Sequence, residues 1–213
     1  SDVCSSDLQS IENIFATTRV LPVIVIDDVN DALPLARALR DGGLSVLEVT
    51  LRTAAGIKAI EKIAADCPGV VVGAGSVLAP EDMAAVRDSG AAFAVSPGLT
   101  AWLLDAARAS AMPYLPGAVS PSELMLGMEY GYEWFKIFPA MALGEEHIRS
   151  IAAPFPKLKF VATGGIKEAD IPRVLALPNM RGVGVSFVVP PALLKAKDWG
   201  GITALARRAV AAA

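Results

Sequence analysis

The chain has 213 residues, of which 54% are hydrophobic and 19% charged, enough apolar material for one large core and too much for a disordered chain. With 19 Lys and Arg against 22 Asp and Glu the formal charge is -3, and no basic stripe follows a phosphodiester backbone, so nucleic acid is not an expected partner. Two cysteines and one histidine supply neither a disulfide framework nor a Cys/His zinc site, and apolar runs such as Val20 to Ile26 fall far short of the ~20 residues of a membrane span. A soluble, cytoplasmic protein is the expectation.

Residues 1–8 (Ser1-Asp2-Val3-Cys4-Ser5-Ser6-Asp7-Leu8) have no basic start and no apolar stretch, so they do not read as a signal peptide. Their letters resemble a translated sequencing-library adaptor, and a non-native or disordered leader is expected there, followed by one domain over residues 9–213. Short β-rich runs then recur at Pro22 to Asp27, Val46 to Leu51, Val70 to Ser76, Phe93 to Gly98, Tyr114 to Val119, Trp134 to Pro139, Lys159 to Gly165 and Gly182 to Val189. Helical periods lie between them at Ala54 to Ala65, Asp82 to Ser89, Ala101 to Ser110, Ser122 to Tyr130, Glu145 to Ala153 and Glu168 to Leu177, with another start near Pro190 or Pro191. Strands that each need a crossover helix must be parallel, and eight such units predict an α/β fold of the closed (β/α)8 kind, a TIM barrel with minimal loops. Ile11 to Thr17 is left over as an extra helix across the bottom. An open doubly wound sheet is the alternative, but it would stop at fewer strands, and no run shows Gly-x-Gly-x-x-Gly between strand and helix.

Alternation on the second strand sends Val46, Glu48 and Thr50 to one face and Leu47, Val49 and Leu51 to the other. The apolar face meets the helices, which leaves Glu48 and Thr50 inside the barrel and Arg52 at its C-terminal mouth. On the sixth strand Lys136 lies among Trp134, Phe135, Ile137 and Phe138, an apolar setting that disfavours the ammonium form. A neutral amine is a nucleophile toward ketones, so Lys136 is the candidate for Schiff-base chemistry. Two plainer readings stand beside it, a snorkelling lysine and a structural ion pair with Glu48. Glu48 can be a counter-ion, a proton shuttle or both, and Arg52 either a fork for a substrate carboxylate or a surface charge. Lys159 opens a strand, which places it at the bottom, away from any chemistry.

The seventh strand ends in Thr163-Gly164-Gly165-Ile166, and the eighth carries Gly182, Gly184 and Ser186. Such glycines let backbone N–H groups approach a phosphate, although a Gly-Gly pair is also an ordinary turn. His147, near a helix start, receives no role, and Cys67 before Pro68 is expected to be packed. Met125 and Met128 at helical spacing suit core or subunit contact better than a ligand box.

Six ordered motifs carry a resemblance that these readings alone do not supply. They are Leu47-Glu48-Val49-Thr50-Leu51-Arg52, Val72-Gly73-Ala74-Gly75-Ser76-Val77, Ser96-Pro97-Gly98, Leu115-Pro116-Gly117, Phe135-Lys136-Ile137-Phe138-Pro139-Ala140 and Thr163-Gly164-Gly165-Ile166. From about Ile11 to the C-terminus the chain resembles the family of KDPG aldolases, class I enzymes that cleave 2-dehydro-3-deoxy-6-phosphogluconate and often 4-hydroxy-2-oxoglutarate. The resemblance implies Lys136 as the Schiff-base lysine, Glu48 as general acid/base, and Arg52 with Ser76 and Pro97 around the pyruvate carboxylate. It implies Thr163, Gly164, Gly165 and Ser186 at the phosphate end, no metal or other cofactor, and a homotrimer. Three positions depart from the family pattern: Ala162 where proline is common, Ser76 where threonine is common, and Val185-Ser186-Phe187 where Gly-Ser-Trp is common. They bear on the choice between phosphorylated and unphosphorylated substrate. The competing functions are another phosphate-binding barrel enzyme, a metal-dependent aldolase, and a non-catalytic barrel that binds a phosphorylated effector.

Overall fold

Every expected strand is present, and each pairs in parallel with its neighbours in a computed structural model that describes residues 10–213. The strands are β1 (Val20–Ile24), β2 (Val46–Thr50), β3 (Val71–Gly75), β4 (Ala94–Val95), β5 in two pieces (Tyr114–Leu115 and Gly117–Ala118), β6 (Trp134–Ile137), β7 (Lys159–Thr163) and β8 (Met180–Val185). These nine segments form one sheet whose ends are the two pieces of β5. The first piece pairs with β4 and the second with β6, so the chain closes the barrel through a strand interrupted at Pro116. Proline has no N–H to give a ladder, but its carbonyl still accepts, here from Lys136 N at 2.9 Å. The expected leader, Cys4 included, lies outside the described residues.

The strands are shorter than their β-rich runs because the last residues of several runs belong to mouth loops. Phe93 to Gly98 yields only Ala94–Val95, since Ser96 Oγ donates to Gly98 O at 2.5 Å and bends the chain. Gly182 to Val189 becomes Met180–Val185, and Phe138 and Pro139 leave β6 for the loop beyond it.

Around the barrel run α1 (Ile11–Thr17), α2 (Ala32–Asp41), α3 (Gly56–Asp66), α4 (Pro80–Asp88), α5 (Ala101–Ser110), α6 (Pro121–Glu129), α7 (Ala140–Leu143), α8 (Glu145–Ala152), α9 (Ile171–Leu175), α10 (Pro191–Ala196) and α11 (Trp199–Ala211). Helices α2, α7 and α11 fall outside the expected segments, and Glu168 to Leu177 splits into a 3-10 turn, Glu168–Asp170, followed by α9. Burial separates two apolar cores. The larger lies between strands and helices and takes Leu47, Val49, Phe135 and Ile137. The smaller fills the lower barrel with Leu21, Val46, Phe93, Val95, Leu115 and Val161, closed from below by Ile11, Ile14 and Phe15 of α1. Ser10 caps α1 by accepting from Asn13 N at 3.1 Å, and Phe15 stacks on Trp134 with ring centroids 5.4 Å apart. Lys159 sits at this lower end, its Nζ 2.6 Å from Glu12 Oε1.

Helix N-termini meet the opposite, C-terminal ends of the strands, and their caps hold the mouth loops. Thr100 Oγ1 accepts from Leu103 N at 3.2 Å, and Glu123 Oε2 accepts from Val119 N and Ser120 N at 2.9 Å each. Short capped loops make the rim a fixed surface on which side chains can be placed.

Candidate active site

With β2 alternating as expected, Glu48 and Thr50 share the interior face with Val46, and β6 sends Lys136 inward above Trp134. Lys136 and Glu48 are 5% and 1% exposed, and Lys136 Nζ lies 3.2 Å from Glu48 Oε1 and 5.6 Å from the centre of the Phe138 ring. The amine therefore does not snorkel to solvent. It is paired inside the barrel, where a stripped ion costs several kcal/mol and an apolar pair of the same volume is often no less stable. Stability alone is thus a weak reason for these two residues to sit here. Gly75 on β3 faces the same space, and a Cβ there would overlap Glu48 Oε1, so the strand next to Glu48 has to be bare for its carboxyl to fit.

Three buried side-chain oxygens have no hydrogen-bond partner among the described residues; Glu145 Oε1 is ion-paired with Arg173, which leaves Glu48 Oε2 and Thr163 Oγ1. Buried polar atoms are almost always bonded, so both mark a place built to meet something else. Val161 is the strand partner of Lys136, and Thr163 stands two residues further, about 7 Å up the barrel at ~3.3 Å per residue. Thr163 is 6% exposed, which puts it deeper than half-buried Gly164 and exposed Gly165 and Ser186, the other residues expected at the phosphate end.

Three further residues follow consecutive strands around one side of the rim. Arg52, just past β2, is exposed; its Nε donates to Thr50 Oγ1 at 3.3 Å, and it forms no ion pair among the described residues. Ser76, just past β3, has φ 59, a left-handed conformation that a residue with a side chain seldom adopts and that recurs at ligand sites. Pro97, past β4, has its backbone against Gly117, which is the strand partner of Lys136. On the other side Gly164 and Gly165 have φ 102 and 77, and a Cβ on Gly164 would lie 3.1 Å from the Phe138 ring, so this turn needs glycine on both counts. Ser186 follows β8, and α10 starts at Pro191, where a helix start is expected.

Some neighbours of the site are not singled out in the sequence reading. Thr50 is placed inward there but given no role, and Thr53, whose Oγ1 donates to Ile26 O at 2.5 Å, is not named. Ser96 and Tyr114 form a buried pair 2.5 Å apart under the Ser-Pro-Gly bend; the motif is visible, but the tyrosine is 18 residues away in sequence. Burial pushes the Tyr114 phenol well above its ordinary range. His147 is half-buried, with Nε2 2.7 Å from Val119 O, and Cys67 is packed as expected. Met125 and Met128 are 55% and 47% exposed, which leaves subunit contact as the surviving half of their expectation.

An amine beside a carboxylate, in a barrel mouth rimmed by an arginine on one side and a glycine turn on the other, can add to a ketone, shuttle a proton and hold an anionic chain at both ends. Among the described residues no three His, Cys, Asp or Glu side chains are grouped as metal ligands, and no helix is long and apolar enough to cross a membrane. The family model for KDPG and KHG aldolase matches residues 11–205. The KHG/KDPG aldolase of Escherichia coli (strain K12) is 48% identical over 202 residues, which is 94% of this chain and 95% of that one. Among solved structures, a KDPG aldolase from Legionella pneumophila, with pyruvate captured as a covalent carbinolamine intermediate, matches with a TM-score of 0.90 at 45% identity, over 93% of this chain and 97% of that one. The aldolase of Zymomonas mobilis ZM4 with 3-phosphoglycerate matches with a TM-score of 0.90 at 41% identity, over 96% of each chain.

Proposed function

Because the chain belongs to the KDPG and KHG aldolase family and is therefore a carbon–carbon lyase, we propose that it cleaves 2-dehydro-3-deoxy-6-phosphogluconate to pyruvate and glyceraldehyde 3-phosphate through an imine on Lys136. The observation that carries this reading is the buried pair: Lys136 Nζ at 3.2 Å from Glu48 Oε1, with Oε2 unbonded. The neutral amine adds to the C2 ketone, and loss of water from the carbinolamine gives a protonated imine that draws electrons from C3. Glu48 takes the C4 hydroxyl proton, the C3–C4 bond breaks, and its electrons enter the imine to leave an enamine while the aldehyde departs. Glu48 returns a proton to C3, and water hydrolyses the imine to pyruvate and free lysine. In this scheme the Arg52 fork, with Ser76 and Pro97, holds the substrate carboxylate, and Thr163, Gly164, Gly165 and Ser186 hold the far end.

The same pyruvate-forming half serves 4-hydroxy-2-oxoglutarate, which would leave glyoxylate; the departures at Ala162, Val185 and Phe187 lie near the end that distinguishes the two. The reaction needs no metal or other cofactor, and a cytoplasmic homotrimer is its proposed setting. Trp102, Leu78, Met125 and Met128 are the support for assembly, since they are 79%, 68%, 55% and 47% exposed on α5, the β3–α4 loop and α6. The test is borohydride reduction in the presence of pyruvate. The expected adduct maps to the peptide carrying Lys136, and Lys136→Ala abolishes both adduct and turnover. Lys136→Arg does no better, because guanidinium keeps its proton. An adduct elsewhere, or none while cleavage persists, refutes the imine; loss of activity to a chelator would point to the metal-dependent alternative.

A further inference from the structure

Thr50 shares the interior face of β2 with Glu48 and is 1% exposed. A hydroxyl has one proton, and Thr50 Oγ1 gives it to Ile24 O of β1 at 3.0 Å. Toward Arg52 it can then only accept, and Arg52 Nε donates to it at 3.3 Å. The direction of this chain is fixed, because Ile24 O cannot donate and Arg52 cannot accept. With Nε turned inward, the four N–H groups on the two Nη nitrogens form the outward edge of the guanidinium, the end-on fork that matches both oxygens of one carboxylate. The segment that carries Arg52 is anchored on either side as well. Leu51 N donates to Gly75 O of β3 at 2.8 Å, and Thr53 Oγ1 donates to Ile26 O at 2.5 Å.

We propose that Thr50 is a positioning residue that sets the specificity for a 2-oxo acid: its hydroxyl aligns the Arg52 fork with the substrate carboxylate. The inference rests on the reading of Arg52 given above. A merely structural threonine would bond Ile24 and fill the strand, and its loss would lower stability or turnover without touching carboxylate selection. Thr50→Val keeps the shape and removes the hydroxyl, Thr50→Ser restores it, and Thr50→Cys keeps a γ atom that accepts poorly, so it reports if the valine variant does not fold.

The measurements are KM and kcat for cleavage, and the rate of borohydride trapping with pyruvate against pyruvamide, which lacks the carboxylate charge. For Thr50→Val or Thr50→Cys the expected result is a KM raised about tenfold with kcat changed less than about twofold, and a pyruvate-over-pyruvamide preference reduced by a similar factor; Thr50→Ser returns both toward the parent. Arg52→Gln is measured in parallel and should collapse the same preference. If Arg52→Gln does so and Thr50→Val leaves KM and preference unchanged, or lowers only kcat, the role of Thr50 is overturned and that of Arg52 stands. If Arg52→Gln itself leaves the preference intact, the carboxylate reading of Arg52 fails, and the role of Thr50 falls with it.

Discussion

Glu48 holds its two oxygens in different surroundings, Oε1 at 3.2 Å from Lys136 Nζ and Oε2 buried with no hydrogen-bond partner among the described residues. A counter-ion needs only the first. A carboxylate that must take a proton from one position of a substrate and return it to another needs an oxygen not already committed to a partner, and Oε2 is such an oxygen. The two roles separate in Glu48→Gln, which is close in shape but cannot accept a proton. If Glu48 shuttles protons, this variant still traps pyruvate with borohydride, while cleavage falls by about 10²–10⁴ and exchange of the pyruvate methyl protons with solvent deuterium falls with it. Equal loss of trapping and cleavage would reduce Glu48 to support for the amine. Thr163 Oγ1 is likewise unbonded, and at 6% exposed it lies deeper than Gly165 and Ser186.

Among the elements, the bend after β4 shows how a buried hydrogen-bond knot shapes the mouth. Ser96 Oγ donates to Gly98 O, so Tyr114 must donate its proton to Ser96, which also accepts from Gly117 N at 3.4 Å. The knot ties β4 to both pieces of β5 and holds Pro97 against Gly117, beside the strand position of Lys136. Tyr114→Phe should cost about 1 kcal/mol at neutral pH, read by urea unfolding. Burial raises the folded phenol, whereas the unfolded phenol ionises near 10.0, so the folded state holds the proton longer. The Tyr114 contribution is complete below pH 10 and is lost as the pH rises above it; the gap between parent and variant should narrow there. A gap that stays constant across pH 10 would remove Tyr114 from the alkaline transition.

The same elements show what sequence reading can reach. Strands are legible because β-branched runs alternate with helical periods, and parity with the apolar face of β2 places Glu48 and Thr50 inside; for Lys136 parity leaves the facing open, because both faces of its strand are apolar. Helix α2 was hidden by Pro34, which sits within its first turn, where a missing N–H does no harm. Helix α11 opens on Gly200 and Gly201, which look like a linker until Asp198 is seen capping it, with Gly201 N donating to Asp198 Oδ1 at 2.9 Å. The break in β5 and the Ser96–Tyr114 knot depend on contacts between strands, which no local pattern encodes.

Across the whole molecule, closure of the barrel brings residues 48, 52, 136 and 163 of one chain to one mouth, while the four most exposed of the large apolar side chains, Trp102, Leu78, Met125 and Met128, lie on α5, the β3–α4 loop and α6. The proposed chemistry draws on groups of one chain, while the proposed assembly face borders the mouth, with Leu78 two residues past Ser76 and Trp102 in the first turn of α5. Trp102 is 79% exposed, and an aromatic ring of this size left in water is a natural anchor for a neighbouring subunit. Sedimentation of the parent should give a mass of three chains. Trp102→Glu places a charge where an apolar contact would be desolvated, so the assembly should dissociate and the thermal midpoint should fall. Trapping of pyruvate at Lys136 should survive in the folded single chain, because the amine and the Glu48 carboxylate come from one chain. If trapping is lost while circular dichroism still reports a native fold, a neighbouring subunit completes the site; if the mass does not change, assembly uses another face.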